Sequence, residues 1–143
     1  LISTNPGSAP QPLGKIASGG ELSRISLAIQ VVTAKGGTLP SMVFDEVDVG
    51  IGGAVAEVVG RLLRGLSAEA QVLCVTHLPQ VASQGHRHLL VSKTSDKTAA
   101  WTRMSVLEDD QRAQEIARML GGVKLTEQSL AHAREMLRDA EGA

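Results

Sequence analysis

Two adjacent carboxylates, Asp45 and Glu46, close a short apolar run, and this pair could carry out chemistry. The run covers residues 41–46 and is typical of a buried strand whose end meets a site. Neighbouring side chains on a strand point to opposite sides, so the two acids should have different tasks. One acid of such a pair can help to hold Mg²⁺, while the other activates a water molecule. A solvated acid pair at a strand end is an equally good interpretation of these residues alone.

A second motif, Ser18-Gly19-Gly20-Glu21, stands before an apolar-periodic segment that is typical of a helix. Two glycines let the backbone approach a ligand closely, and a helix N-terminus directs free N–H groups and positive dipole towards it. With the Ser18 hydroxyl as a further donor, the motif would suit a phosphate. Taken alone, however, the motif favours a glycine-rich turn with an ordinary N-cap.

A third motif is a histidine, His77, directly after the aliphatic run of residues 71–76. At that position an imidazole can donate a hydrogen bond to a phosphate oxygen or position a water molecule. A capping or surface role is the alternative. Three further histidines lack this context and are expected to be structural or exposed: His86, His88 and His132. Cys74 lies within the same run and is expected to be a core residue, not a nucleophile.

The spacing of apolar residues predicts elements that would position these motifs. Leu22, Ile25, Ile29 and Val32 repeat at helical spacing. Further helices are predicted over residues 54–66, 78–83 and 108–120 and after a Thr126 cap, with strands over 88–93 and 101–107. Strands that alternate with helices predict an α/β fold, a mostly parallel sheet flanked by helices, with a hairpin in the C-terminal part. Asp45, Glu46 and His77 would then meet at the carboxyl ends of the strands, where such sheets bind ligands.

Composition limits the alternatives. The chain has 143 residues, of which 43% are hydrophobic, which fits one globular domain. Its formal net charge of −1 argues against a strongly basic nucleic-acid-binding domain. One cysteine allows no internal disulfide, and no apolar run has the length of a membrane span, so a membrane is not an expected partner. The start has no initiator Met, which is typical of a piece of a longer chain.

The order of the three motifs resembles the second half of ABC-type ATPase heads. The longer blocks resemble the RecN family, bacterial relatives of the SMC proteins. The resemblance lies in KIASGGELSR (residues 15–24), FDEVDVGIGG (44–53) and VTHLPQVA (75–82), with ISTNPG (2–7) resembling the re-entry into the head after a coiled coil. It covers nearly the whole chain and is weaker past about residue 95.

The resemblance implies ATP and Mg²⁺ as cofactors, with Asp45 as the Mg²⁺-associated acid and Glu46 as the catalytic base. His77 matches the switch histidine near the γ-phosphate. Ser18, Gly19, Gly20 and Glu21 match the signature motif, which contacts ATP held by the opposite head. Asp48 matches the D-loop acid at the head–head interface.

No Gly-x-x-x-x-Gly-Lys-Ser/Thr loop occurs in the sequence, and heptads of a coiled coil are missing too. Residues 1–143 are therefore expected to form the C-terminal lobe of a head, inactive alone. The expected partners are the N-terminal lobe of the same head, a second head in a homodimer, and DNA through the complete protein. A half-head would also expose apolar surface and self-associate.

The resemblance further implies a role in DNA double-strand-break repair and recombination, in the bacterial cytoplasm and associated with the nucleoid. Another ABC-type head is the runner-up, either a different SMC-like protein or a transporter subunit. The VDVGIGG extension after Asp-Glu favours the RecN family over transporters. An interaction module that has lost its phosphate loop is the third alternative.

Overall fold

The computed structural model of the chain describes Ser3, Gly7 and residues 9–12, 19–34, 40–45, 47–96, 99–121 and 124–142; for residues 19–24, 30 and 34 it describes the backbone only. The elements are α1 (Gly19–Ala34), β1 (Ser41–Phe44), α2 (Gly53–Leu66), β2 (Gln71–Cys74), α3 (Pro79–Ala82), β3 (His88–Ser95), β4 (Ala100–Leu107), α4 (Asp109–Gly121) and α5 (Glu127–Glu141). This succession confirms the predicted α/β fold.

The strands form two separate pairs within the described residues. Strands β1 and β2 are parallel, with Ser41 opposite Gln71 and Phe44 opposite Cys74. Strands β3 and β4 form the predicted antiparallel hairpin, with His88 opposite Leu107. In the described part of the chain, the parallel sheet therefore consists of one strand pair, and the hairpin is a sheet of its own.

The main core lies on one face of β1 and β2. Met42 and Phe44 alternate with outward-facing neighbours on β1, as the two-residue period of a strand requires. Helix α2 packs its apolar stripe against this face, and each fully buried side chain of Val, Leu or Phe contributes roughly 1.5–3 kcal/mol. The buried residues of this core are Leu27, Val31, Phe44, Val47, Ala56, Val59, Leu63, Leu66 and Val81.

A second, smaller core joins α4 and α5 around Ile116, Ala117 and Ala133. Helix α5 begins with the predicted Thr126 cap, whose hydroxyl accepts a hydrogen bond from Ser129 N at 3.1 Å. Ala82 of α3 packs against this second core while Val81 belongs to the first, so α3 links the two.

The outer face of the parallel pair is apolar and exposed. Val43 is 70% exposed, Leu73 42% and Val75 59%. The hairpin has a similar face, because cross-strand partners share one side: Leu89, Val91, Met104 and Val106 are all exposed there. No helix in the described ranges is long and apolar enough to cross a membrane.

Candidate functional site at the carboxyl ends of the parallel strands

The candidate site lies where β1 and β2 end. Because the two strands are parallel, their carboxyl ends meet at the same edge, and a hydrogen bond from Val75 N to Phe44 O at 2.9 Å continues the pairing just past β2. Asp45 follows β1 directly and is exposed. Thr76 and His77 follow β2. The sequence prediction that polar groups gather at this edge is thus met by Asp45 and His77.

A turn over residues 47–50 brings Asp48 back to this edge. Ile51 N donates to Asp48 O at 3.3 Å, and Gly50 adopts φ +73°, in the left-handed region that glycine reaches without strain. Val47 enters the core, and Asp48 is only 3% exposed. The turn therefore carries a carboxylate into the interior at the exit of β2.

Oxygen Oδ2 of Asp48 is the centre of a small polar network. It accepts hydrogen bonds from Thr76 Oγ1 at 2.5 Å and from His77 N at 2.8 Å. It also lies 3.0 Å from His77 Nδ1. Burial raises the pKa of Asp48, but these hydrogen bonds and the charge of His77 outweigh it, so the pKa lies below its ordinary value. The buried carboxylate is therefore held in its charged form.

The imidazole of His77 is held on one side and open on the other. Its Nδ1 faces Asp48, while 73% of its side chain is exposed. A ring anchored through one nitrogen keeps a defined orientation, and its other nitrogen remains available to a ligand. His77 is thus placed for contact with a group that approaches the strand edge from outside.

Charges at the edge also act on Cys74. Burial raises the pKa of this thiol to about 11, and the negative charges of Asp48 and Asp45 add to the effect. The thiol therefore stays protonated at neutral pH, and the side chain packs against the main core. Cys74 is half-buried at the margin of the main core, which fits the predicted packing role.

The other predicted site residues divide into two groups. Gly19 and Gly20 are the first residues of α1, and Glu21 follows them in the helix. Ser18 and Glu46 lie outside the described residues. The structure thus joins Asp48 to His77, with Asp45 beside them at the strand edge.

Sequence reasoning missed Thr76. The signal was a polar β-branched residue between the strand and His77, but the same pattern occurs at many strand ends. The place of Asp48 at a head–head interface stays a prediction, and within this chain its buried carboxylate faces Thr76 and His77. This contact is tertiary, and no spacing rule predicts it.

The site residues fit a Mg²⁺ ion that is bound partly by phosphate oxygens and waters better than one bound by protein ligands alone. Among the described residues, no three His, Cys, Asp or Glu side chains converge as metal ligands would. Mg²⁺ usually binds through one or two carboxylates together with phosphate oxygens and waters. The exposed carboxylate of Asp45 fits the protein's share of such a site.

The edge is open, and it is distinct from a cavity of about 300 Å³ lined partly by Glu57, Gln84 and His132. Among the described residues, neither Asp45 nor His77 lines that cavity.

The fold resembles a solved chain of SMC ATPases, from a study of their ATP-driven dimerization and DNA-stimulated activation. The two superpose with a TM-score of 0.59 at 21% identity, over 87% of this chain and 81% of the other. The fold is therefore that of an SMC-type ATPase chain. No protein-family profile matches the sequence.

Curated relatives identify the family more narrowly. The chain is 58% identical over 137 residues to the DNA repair protein RecN of Vibrio cholerae, covering 96% of this chain and 25% of that protein. It is 54% identical to the RecN of Xylella fastidiosa and 42% identical to that of Bacillus subtilis, over 99% of this chain in both. The chain belongs to the RecN family and spans about a quarter of the length of these relatives.

Proposed function

We propose that this chain is the C-terminal lobe of an SMC-like ATPase head that acts in DNA double-strand-break repair and recombination. The observation that carries the proposal is the network at the carboxyl edge of β1 and β2, where Asp48 orients His77 beside Asp45. The relatives named DNA repair protein RecN support the biological role.

In this proposal Asp45 contacts Mg²⁺, Glu46 is the general base, and His77 contacts the terminal phosphate. Glu46 follows Asp45 in the chain, so the two carboxylates can take separate tasks. Bound Mg²⁺ would neutralise charge that develops on the phosphate oxygens. The exposed ring of His77 would contact a phosphate oxygen or the attacking water.

The signature residues would act on ATP held by a second head. Gly19 and Gly20 begin α1, so their backbone N–H groups belong to the positive end of a helix of 16 residues. Ser18 would add a hydroxyl donor, and Glu21 completes the motif. Asp48, as the D-loop acid, would place the turn of residues 47–50 at the same interface. A homodimer of heads with ATP between them is the resulting assembly.

The N-terminal lobe of the same head would supply the loop for the α- and β-phosphates, which this sequence lacks. The exposed outer face at Val43, Leu73 and Val75 supports such a partner, because strands of a parallel sheet are usually covered on both faces. We therefore expect no ATP hydrolysis from this chain alone.

DNA would bind elsewhere in the complete protein, since this chain has a net charge of −1. The bacterial cytoplasm, at the nucleoid, is the proposed location.

Replacement of the proposed base tests this function. In the complete protein, Glu46→Gln should lower kcat for Mg²⁺-dependent ATP hydrolysis by roughly 10²–10⁴-fold, the usual contribution of general acid–base catalysis. Nucleotide binding should persist, since the amide keeps the size of the side chain. Steady-state phosphate release and equilibrium binding of ATP measure the two effects.

The matched control is Glu57→Gln, which changes an exposed glutamate on α2 that pairs with Arg61 at 3.4 Å. This variant should hydrolyse ATP at the wild-type rate. Unchanged turnover in Glu46→Gln would show that Glu46 is not the base.

A further inference from the structure

Thr76 occupies a defined position in the network beneath His77. Its Oγ1 accepts a hydrogen bond from Leu78 N at 3.0 Å and donates one to Asp48 Oδ2 at 2.5 Å. Because an ionised carboxylate can only accept, the hydroxyl donates its proton to Asp48 and accepts from Leu78 N through a lone pair. One side chain thus ties the loop after β2 to the turn that follows β1.

The contact with Leu78 also fixes the path of the chain around His77. Leu78 is the N-cap of α3, and the N-cap lacks a side-chain hydrogen bond to the helix. The bond from Leu78 N to the Thr76 hydroxyl spans two residues and is a local turn of the type that Ser and Thr form. His77 is the residue inside this turn, so its backbone position depends on Thr76.

The contact with Asp48 acts on the ring. Asp48 Oδ2 accepts from Thr76 Oγ1 and His77 N and lies 3.0 Å from His77 Nδ1. Nδ1 is the ring nitrogen beside the carboxylate, so Nε2 is the nitrogen left for a ligand. The Thr76 hydroxyl holds the carboxylate where it can make this contact.

We propose that Thr76 is a positioning residue for the ATPase site, which acts through Asp48 to hold the His77 ring with Nε2 towards the terminal phosphate. This inference rests on the proposed function. It assigns a role to a residue that does not itself touch the nucleotide. Loss of its hydroxyl should therefore slow turnover more than it weakens nucleotide binding.

The test compares Thr76→Val, which removes the hydroxyl at nearly constant shape, with Thr76→Ser, which keeps it. In the complete protein, Thr76→Val should lower kcat about tenfold, less than the roughly 10²–10⁴-fold cost of losing an acid–base group itself. KM for ATP should change little, and Thr76→Ser should restore most of kcat. Thr102→Val, at an exposed position on β4, is the matched control and should behave as wild type.

The outcomes separate the two proposals. If the wild-type complete protein hydrolyses no ATP, the proposed function fails, and the role of Thr76 fails with it. If the wild type is active and Thr76→Val keeps its kcat, or Thr76→Ser is as slow as Thr76→Val, only the positioning role is overturned. Thermal unfolding shows whether Thr76→Val has lost its fold. If it has, Thr76→Ser alone tests the proposal, and a kcat of Thr76→Ser far below that of the wild type would contradict it.

Discussion

At the scale of single residues, the buried carboxylate of Asp48 is the centre of the polar contacts at the strand edge. Asp48 is 3% exposed, and its charge is compensated by contacts with Thr76 and His77. Such charge-assisted hydrogen bonds are the stronger kind, and removal of one partner leaves buried groups unsatisfied. Orientation of His77 and stability of the loop after β2 therefore depend on the same oxygen atom.

The lowered pKa of Asp48 gives this contribution a pH dependence. Its ordinary value is 3.8, and the folded protein holds it lower, so the stabilisation is complete well above pH 3.8 and is lost as the pH falls through the folded pKa. We expect Asp48→Asn to lower the free energy of unfolding by roughly 1–3 kcal/mol at neutral pH. The difference from wild type should shrink below about pH 4.

Denaturant unfolding of both proteins at several pH values between about 3 and 7 measures this difference. A stability difference that stays constant across this range would contradict the assignment of a charged Asp48.

Single residues also show which parts of the site could be predicted from the sequence and which could not. Asp45 and His77 follow apolar strands, so their place at one edge was predictable from the pattern alone. The inward turn of Asp48 and the bridging hydroxyl of Thr76 were not, because both depend on how the turn after β1 folds onto the loop after β2.

At the scale of elements, helix α3 is held by close contacts with its neighbours. It has only four residues and cannot be stable by itself. Two arginines bind the carbonyls that follow it: Arg64 Nη1 donates to Gln84 O at 2.7 Å, and Arg112 Nη2 donates to Gly85 O at 2.6 Å. Since α3 begins just after His77, its attachment to α2 and α4 fixes one end of the site loop.

The contact between α2 and α3 depends on a glycine. A Cβ atom at Gly60 would lie 2.7 Å from Gln84 Cγ and 3.0 Å from Gln80 O, closer than packed atoms allow. We expect Gly60→Ala to destabilise the chain by roughly 1–3 kcal/mol, despite the better helix propensity of alanine. Urea unfolding measures the change.

Gly65 in the same helix is the control, because a Cβ atom there meets nothing within 4 Å. Gly65→Ala should be neutral or stabilise by about 0.4–1 kcal/mol. Equal changes in the free energy of unfolding for Gly60→Ala and Gly65→Ala would contradict the close packing of α2 against α3.

The helices and the hairpin were predictable from periodicity and from signals such as Thr126, which caps α5. The exposure of the strands was not predictable from the apolar pattern, and the expectation of exposed apolar surface came only from the resemblance to half of an ATPase head. Residues 41–46 and 71–76 have the continuous apolar pattern of strands that are covered on both sides, yet Val43 and Val75 are exposed. The apolar pattern reflects the environment of the strands in the complete fold, whereas the described part of the chain covers only one of their two faces.

At the scale of the whole molecule, the exposed apolar faces and the family membership lead to the same interpretation. The chain spans about a quarter of its RecN relatives, and the outer face of β1 and β2 is suited to a partner lobe. This surface supports the expectation that the chain alone self-associates. Completion of the site would then require both the N-terminal lobe and a second head.

Complementation between two inactive variants of the complete protein tests this account most directly. Ser18→Arg should block the signature motif, and Glu46→Gln should remove the base, so each homodimer should be inactive. In a mixed dimer, the intact base of one subunit meets the intact signature motif of the other, which restores one of the two sites. In an equimolar mixture that exchanges subunits freely, about half of the dimers are mixed, and each has one of its two sites active. The mixture should therefore regain about a quarter of wild-type ATP turnover. If the mixture remains as inactive as either variant alone, the signature motif does not act across two heads, and the account is contradicted.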